Sequence, residues 1–163
     1  MATLYWAQSA AFPTTAVTAV VATGTSIKTL LQVATPSTQR IKVVNWGIDL
    51  DTPASAGTVK AELVQTDVAA TGGTSLTPEP YDDPNAPASL CVGGTSATCF
   101  QPSGEGTITA TRIGGLKLLT PPFNYERDWP LGREFQVPVS KFLRVRVIAS
   151  VTCNAYAWIM WEE

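Results

Sequence analysis

Along residues 58–66, TVKAELVQT, apolar and polar side chains alternate almost one for one. Val59, Ala61 and Leu63 fall on one side, Lys60 and Glu62 on the other. A period of two belongs to a strand whose two faces meet different surroundings, whereas a helix repeats every 3.6 residues. KFLRVRVIA (141–149) sets Leu143, Val145 and Val147 against Arg144 and Arg146. RIKVVNWGIDL (40–50) groups Val44, Trp46, Ile48 and Leu50 opposite Ile41 and Val43, and SIKTLLQV (26–33) groups Ile27, Leu31 and Val33. NAYAWIMW (154–161) sets Tyr156, Trp158 and Met160 against small or apolar neighbours. TAVTAVVA (15–22) and GTITATRI (106–113) add β-branched residues with high strand propensity. No segment carries a sustained helical stripe. The expected fold is all-β, an antiparallel sandwich with almost no helix. Val59, Leu63, Val145, Val147 and Trp158 are expected to be buried.

Turn chemistry separates these runs: ATGTS, TPSTQ, DTPASAG and SVTCN. The short connections predict two hairpins, 40–50 with 58–66 and 141–149 with 154–161. With 163 residues and 45% hydrophobic side chains the chain suits one domain, 1–163. Two stretches stand apart. Residues 71–103 are mostly Gly, Pro, Ser, Thr and Ala, and LTPEPYDDPNAPASL holds four prolines, which disfavour ladder bonds and helix alike. Such a long loop is expected to be an excursion lying on a neighbouring surface. Residues 1–13 carry Leu4, Tyr5, Trp6 and Phe12 near a terminus, as a first strand or as an N-terminal arm anchored on another subunit. The arm is the preferred reading for contact with a sister subunit or another protein.

Histidine is absent, which removes the commonest general base and metal ligand. Ser-His-Asp and Cys-His nucleophiles and His-containing metal sites are thereby excluded. The three cysteines, Cys91, Cys99 and Cys153, lack C-x-x-C spacing. Cys91 and Cys99 flank VGGTSAT and are read first as reduced thiols, with a disulfide left open. The net charge of -2 shows no basic stripe for nucleic acid. No apolar run approaches the roughly 20 residues a membrane span needs. MATLYWAQSA lacks the pattern of a signal peptide, so synthesis and folding in a cytoplasm are expected. Charged residues are only 15% of the chain, against about 25% in typical domains. A surface so poor in charge suits permanent contact.

The densest charge lies in YERDWPLGRE: Glu126, Arg127, Asp128, Arg133 and Glu134 around Trp129. Glu126 and Asp128 have the chemistry of a glycosidase carboxylate pair. The alternation of sign and the turn DWPLG point instead to an interface or an interface-bordering loop. DDP at 82–84 is a turn rather than a calcium loop. GEGT (104–107) and the Gly114–Gly115 pair lack the lysine and helix of a phosphate cradle, and Glu105 reads as a turn residue. No catalytic residue, metal or cofactor is expected. The candidate contact residues are Leu4, Tyr5, Trp6, Phe12, Tyr81, Glu126, Arg127, Asp128, Trp129, Arg133 and Glu134.

The segments IKVVNWGIDLD, EGTITATR, PLGREFQVPVSKFLRVRV and AYAWIMWEE together resemble the small capsid decoration, or head-stabilising, proteins of tailed bacteriophages, particularly those infecting actinobacteria. The likeness runs from about residue 40 to the end and rests on strand and turn sequences. It implies a jelly-roll-like fold seated on the outer capsid surface of the virion, with the major capsid protein and two further copies in a homotrimer as partners. It brings no catalytic motif. Stretch 79–102 departs from it. The alternative is a carbohydrate-binding β-sandwich module on a virion or cell surface, with Trp129, Tyr125 and Tyr81 as platforms for surface glycans.

Overall fold

The computed structural model describes residues 2–94 and 97–163, leaving Met1, Thr95 and Ser96 (the last two within the 71–103 stretch) outside the described residues. Among the described residues there are strands and no helix. The strands are β1 (Leu4–Gln8), β2 (Val21–Ala22), β3 (Lys28–Ala34), β4 (Ile41–Leu50), β5 (Val59–Thr66), β6 (Thr74–Ser75), β7 (Glu79–Pro80), β8 (Cys99–Phe100), β9 (Thr111–Leu119), β10 (Phe123–Asp128), β11 (Phe135–Val137), β12 (Phe142–Ala149) and β13 (Asn154–Glu162). They form two antiparallel sheets packed as a sandwich. Sheet A runs β10-β4-β13-β1-β7, with β11 also on β4 and β2 also on β13; sheet B runs β6-β8-β3-β12-β5-β9.

The alternating pattern chooses the inward face as expected. Val59, Ala61 and Leu63 of β5 and Leu143, Val145 and Val147 of β12 are buried in the core. Opposite them, sheet A supplies Tyr5, Ala7, Ile41, Val43, Trp46, Ile48, Leu50, Ala155, Ala157, Ile159 and Trp161. Burial of such side chains contributes about 1.5–3 kcal/mol each before conformational entropy is set against it.

Neither expected hairpin forms. β4 pairs with β10, β11 and β13, while β5 pairs with β12 and β9. The loop between β4 and β5 crosses from one sheet to the other, as does the loop between β12 and β13. Two amphipathic strands can satisfy their apolar faces across the core as well as side by side. Alternation specifies which face is inward, not which strand is the neighbour.

The phase of β4 also differs from a simple period of two. Trp161 pairs with Val43 and Met160 with Asn45, so Val44 is an extra, bulged residue. The bulge returns Ile41 and Val43 to the same face as Trp46, Ile48 and Leu50. Val44 in turn uses its carbonyl to accept a bond from the Trp129 amide at 2.9 Å. In 15–22 only Val21 and Ala22 are strand, and Val17 and Val20 are exposed; in 106–113 the strand begins at Thr111.

Residues 4–8 are not a free arm. β1 lies between β13 and β7 in sheet A, with Tyr5 and Ala7 in the core. The described residues of 71–103 likewise pack on their own sandwich: β6 and β8 extend sheet B, β7 extends sheet A, and Leu76, Cys91 and Phe100 join the core. The prolines are tolerated because these are short edge strands. Cys91, Cys99 and Cys153 are separate buried thiols.

Candidate functional site

The two outer faces of the sandwich differ. On sheet B, Arg144 points away from the core yet is fully buried, with the segments that carry Val68 and Glu105 closing on its guanidinium. Its guanidinium donates to the Glu105 carbonyl at 2.9 Å, to the Glu105 carboxylate at 3.3 Å and to the Val68 carbonyl. The Glu105 carboxylate also accepts from the Thr29 amide at 2.6 Å and the Thr29 hydroxyl at 2.7 Å. Gln32 bonds the Ala97 carbonyl and the Ala70 amide, both at 2.7 Å. Glu105 is thus the partner of a buried cation rather than a plain turn residue.

At the other side of sheet B the edge strand β9 is uncovered. Its outward side chains Ile113, Leu116 and Leu118 are 57%, 51% and 70% exposed, and Ile148 and Ile27 are exposed nearby. The glycines of β9 face the core: a Cβ on Gly115 would sit 2.9 Å from the Trp46 ring. That close approach, not phosphate binding, accounts for the glycine at 115.

Sheet A keeps an open polar-aromatic face. Strand register brings Trp6 and Gln8 of β1, Tyr156, Trp158 and Met160 of β13, Asn45, Gly47 and Asp49 of β4, and Glu126 and Asp128 of β10 to this side. Tyr81, just after β7, stacks on Trp6 with centroids 6.0 Å apart. Trp6 stacks on Trp158 at 6.0 Å, and Trp158 meets Tyr156 at 5.7 Å. The rings therefore form a continuous strip across three strands. Trp158 is sealed beneath it. Its ring lies over Gly47, where a Cβ would come within 2.0 Å of the indole, so only glycine leaves room. The indole Nε1 donates to Asn45 Oδ1 at 2.8 Å.

The Asn45 amide gathers the carboxylates that sequence spacing singled out. Its Nδ2 donates to Glu126 Oε1 and Asp128 Oδ1, each at 2.7 Å. The tyrosine end of the strip is polar as well: Tyr156 donates its hydroxyl proton to Gln8 Oε1 at 2.5 Å. Burial, then the neighbouring Glu126 charge, pushes the Asp49 carboxyl above its ordinary pKa. Burial, then Asp49, does the same to the Tyr156 phenol. Beyond Tyr156 the strip opens into a cleft of about 350 Å³, with Val20, Leu50 and Thr18 on its walls and Asp49, Asp51 and Asn154 at its polar side.

The structure thus scatters the expected contact residues. Trp6, Tyr81, Glu126 and Asp128 share the outer face of sheet A, and Leu4 begins the same side of β1. Tyr5 is in the core, stacked on Trp161 and donating its hydroxyl proton to the Pro87 carbonyl, so it is closed to partners; Phe12 packs against the core. The loop expected at 126–134 is strand as far as Asp128. Arg127 turns to the opposite side from its neighbours, lies over the Trp129 ring at 4.8 Å and donates to the Gly114 carbonyl at 3.2 Å. Trp129 stacks on Phe135, and Tyr125 meets Trp46 edge-on beneath Lys117. The Trp129 and Tyr125 rings are both half-buried and engaged with neighbouring side chains, whereas Tyr81 is 61% exposed. Arg133 is exposed in the turn and Glu134 accepts from the Gly132 amide. Sequence reasoning missed Gln8, Asn45, Asp49 and Tyr156. The one signal was NAYAWIMW, whose large side chains on one face and apolar ones on the other imply a strand covered on both sides.

No group of three or more Cys, Asp or Glu side chains is placed to hold a metal among the described residues. Compared with protein-family models, curated proteins and solved structures, the chain matches none.

Proposed function

We propose that this chain is a structural virion protein, a decoration or minor capsid protein that binds the outer surface of a phage head and stabilises it as a homotrimer. It works by surface complementarity and not by catalysis. The observation that carries the reading is the aliphatic row Ile113, Leu116 and Leu118 on the uncovered edge strand of sheet B. A contiguous apolar patch on a strand with unpaired backbone groups is a liability for a free monomer and a natural seat for a protein partner. Lys117 and Arg127 lie at the same open edge on the side turned toward the other sheet, tied to the Tyr125 ring and the Gly114 carbonyl. Charges at such a rim set orientation more than affinity. The resemblance to head-stabilising proteins supplies the partner, the major capsid protein, and the threefold arrangement.

The test is co-sedimentation with phage heads stripped of the protein, alongside light scattering of the free protein. Leu116→Asp with Leu118→Asp is expected to weaken head binding at least about tenfold while leaving the circular dichroism spectrum unchanged. A stable monomer at micromolar concentration that does not bind heads would sink the proposal.

A further inference from the structure

We infer that the outer face of sheet A is a carbohydrate-binding surface, with the accessible rings Tyr81, Trp6 and Tyr156, backed by the buried Trp158, as an apolar track for sugar rings and the cleft beside Tyr156 as its polar end. Sugar rings present C–H faces that pack on aromatic rings and hydroxyls that need hydrogen-bond partners. Binding sites for small molecules combine such apolar lining with a few placed polar groups. This face offers both. Tyr81 is 61% exposed and Trp6 and Tyr156 are half-buried, held in place by the sealed Trp158. Along the same side run the acceptors Glu126, Asp128 and Asp49, and Asp51 and Asn154 line the cleft.

Ring geometry decides between a sugar and a cation. An aromatic cage for a cation surrounds it with ring faces. Here successive rings are tilted by only 22°, 13° and 34°, which makes a track and not a box. The cleft sets the Asp49 and Asp51 carboxylates beside the Asn154 amide and the Tyr156 ring, a mix of acceptors, a donor and an apolar wall that matches the hydroxyls and C–H face of a sugar. The rings come from β1, β13 and the segment after β7, and the acceptors from β4 and β10. A ligand lying across them spans several strands, which favours an oligosaccharide over a single sugar.

This surface is on the opposite sheet from the aliphatic row of β9, so the two proposals fail independently. The experiment is isothermal titration of the intact protein with cellohexaose, maltohexaose, chitohexaose and mannohexaose, followed in parallel by tryptophan fluorescence. At least one is expected to bind with Kd below ~10 mM. Tyr81→Ala and Asp49→Asn are each expected to weaken that binding about tenfold or more, with unchanged circular dichroism and unchanged light-scattering mass. Gly47→Ala, which displaces Trp158, should abolish the fluorescence response. Absence of binding by all four sugars overturns the inference. So does binding that survives both Tyr81→Ala and Asp49→Asn, which would place the sugar elsewhere. Binding of a polylysine peptide in place of any sugar, lost on adding salt, overturns it in favour of a cationic partner.

Discussion

The outward sides of β12 and β13 face solvent in unlike ways, although the two strands follow one another in the chain and both bury an apolar face in the same core. On β12 the outward residues include Arg144, Arg146 and Ile148; Arg146 pairs with Glu62, and Arg144 is a charge that only becomes tolerable when Glu105, Val68 and the loops around them cover it. On β13 the outward residues are Tyr156 and Trp158, which need no cover because aromatic neighbours share the burial. The buried charge is tolerated only under a polar cover, which closes the β12 part of sheet B and leaves the edge strand β9 open; the aromatic rings need no such cover, and the outer face of sheet A stays uncovered. In this sandwich the chemistry of the outward positions decides which part of each face the chain's own loops close.

The comparison breaks most completely at β1, which belongs to the open face and the core at once. Removing residues 2–12 takes Tyr5 and Ala7 from the core and leaves β13 without its neighbour. Cooperative unfolding, followed by circular dichroism in urea, should disappear altogether; a folded remnant would restore the N-terminal arm reading. Next, Arg144→Ala should cost about 2–4 kcal/mol by denaturant titration, below the full penalty for breaking a buried pair because Glu105 is partly solvated. A loss under about 0.5 kcal/mol would show that the loops do not need the ion pair to close over sheet B.

Gly47→Ala tests the other face. The added methyl meets the Trp158 ring, and forced overpacking of this kind costs about 1–3 kcal/mol. Tryptophan emission should shift with it, because the indole must leave Asn45. Acid titration separates the faces again. The Asp67 carboxylate accepts from the Thr109 hydroxyl and from the Ala110 and Thr109 amides, which hold its pKa down from its ordinary 3.8 to about 2. The folded state thus binds that proton less readily than the unfolded chain. The stability it contributes is present above 3.8 and is lost as pH falls toward 2. Asp67→Asn should flatten the stability curve across that interval; an unchanged slope would remove Asp67 as the tether of the cover over sheet B. The smallest effect belongs to Tyr81→Ala, whose ring is mostly exposed: a change within about 0.5 kcal/mol in stability, with the loss appearing only in sugar titration.

Much of the core was legible residue by residue. Val59, Leu63, Val145 and Val147 are buried in the core as alternation predicts; Trp158 is buried too, but on the outer face of sheet A. The candidate site was legible only in fragments. Glu126 and Asp128 stood out as a pair, and Trp6 and Tyr81 as aromatics without an evident core role, but nothing in the spacing ties residue 6 to 81, 126 or 158. Asn45 and Gln8 are ordinary polar residues in the chain and become informative only beside Trp158 and Tyr156.

By itself the sequence determined that the chain is built of strands, which side of β5 and of β12 turns inward, and that histidine chemistry is absent. These follow from local properties: the two-residue period, β-branched propensity and the presence or absence of a residue type. Only the tertiary structure decided that β4 and β5 sit in different sheets, that the Val44 bulge reverses the phase of β4, and that the Pro-rich stretch closes the edges of its own sandwich. It also decided that three distant segments make one aromatic strip. Strand pairing is a choice among non-local partners with similar local patterns, and that choice is settled by packing across the core, where a single bulge or a glycine beneath an indole outweighs any preference a short segment carries alone.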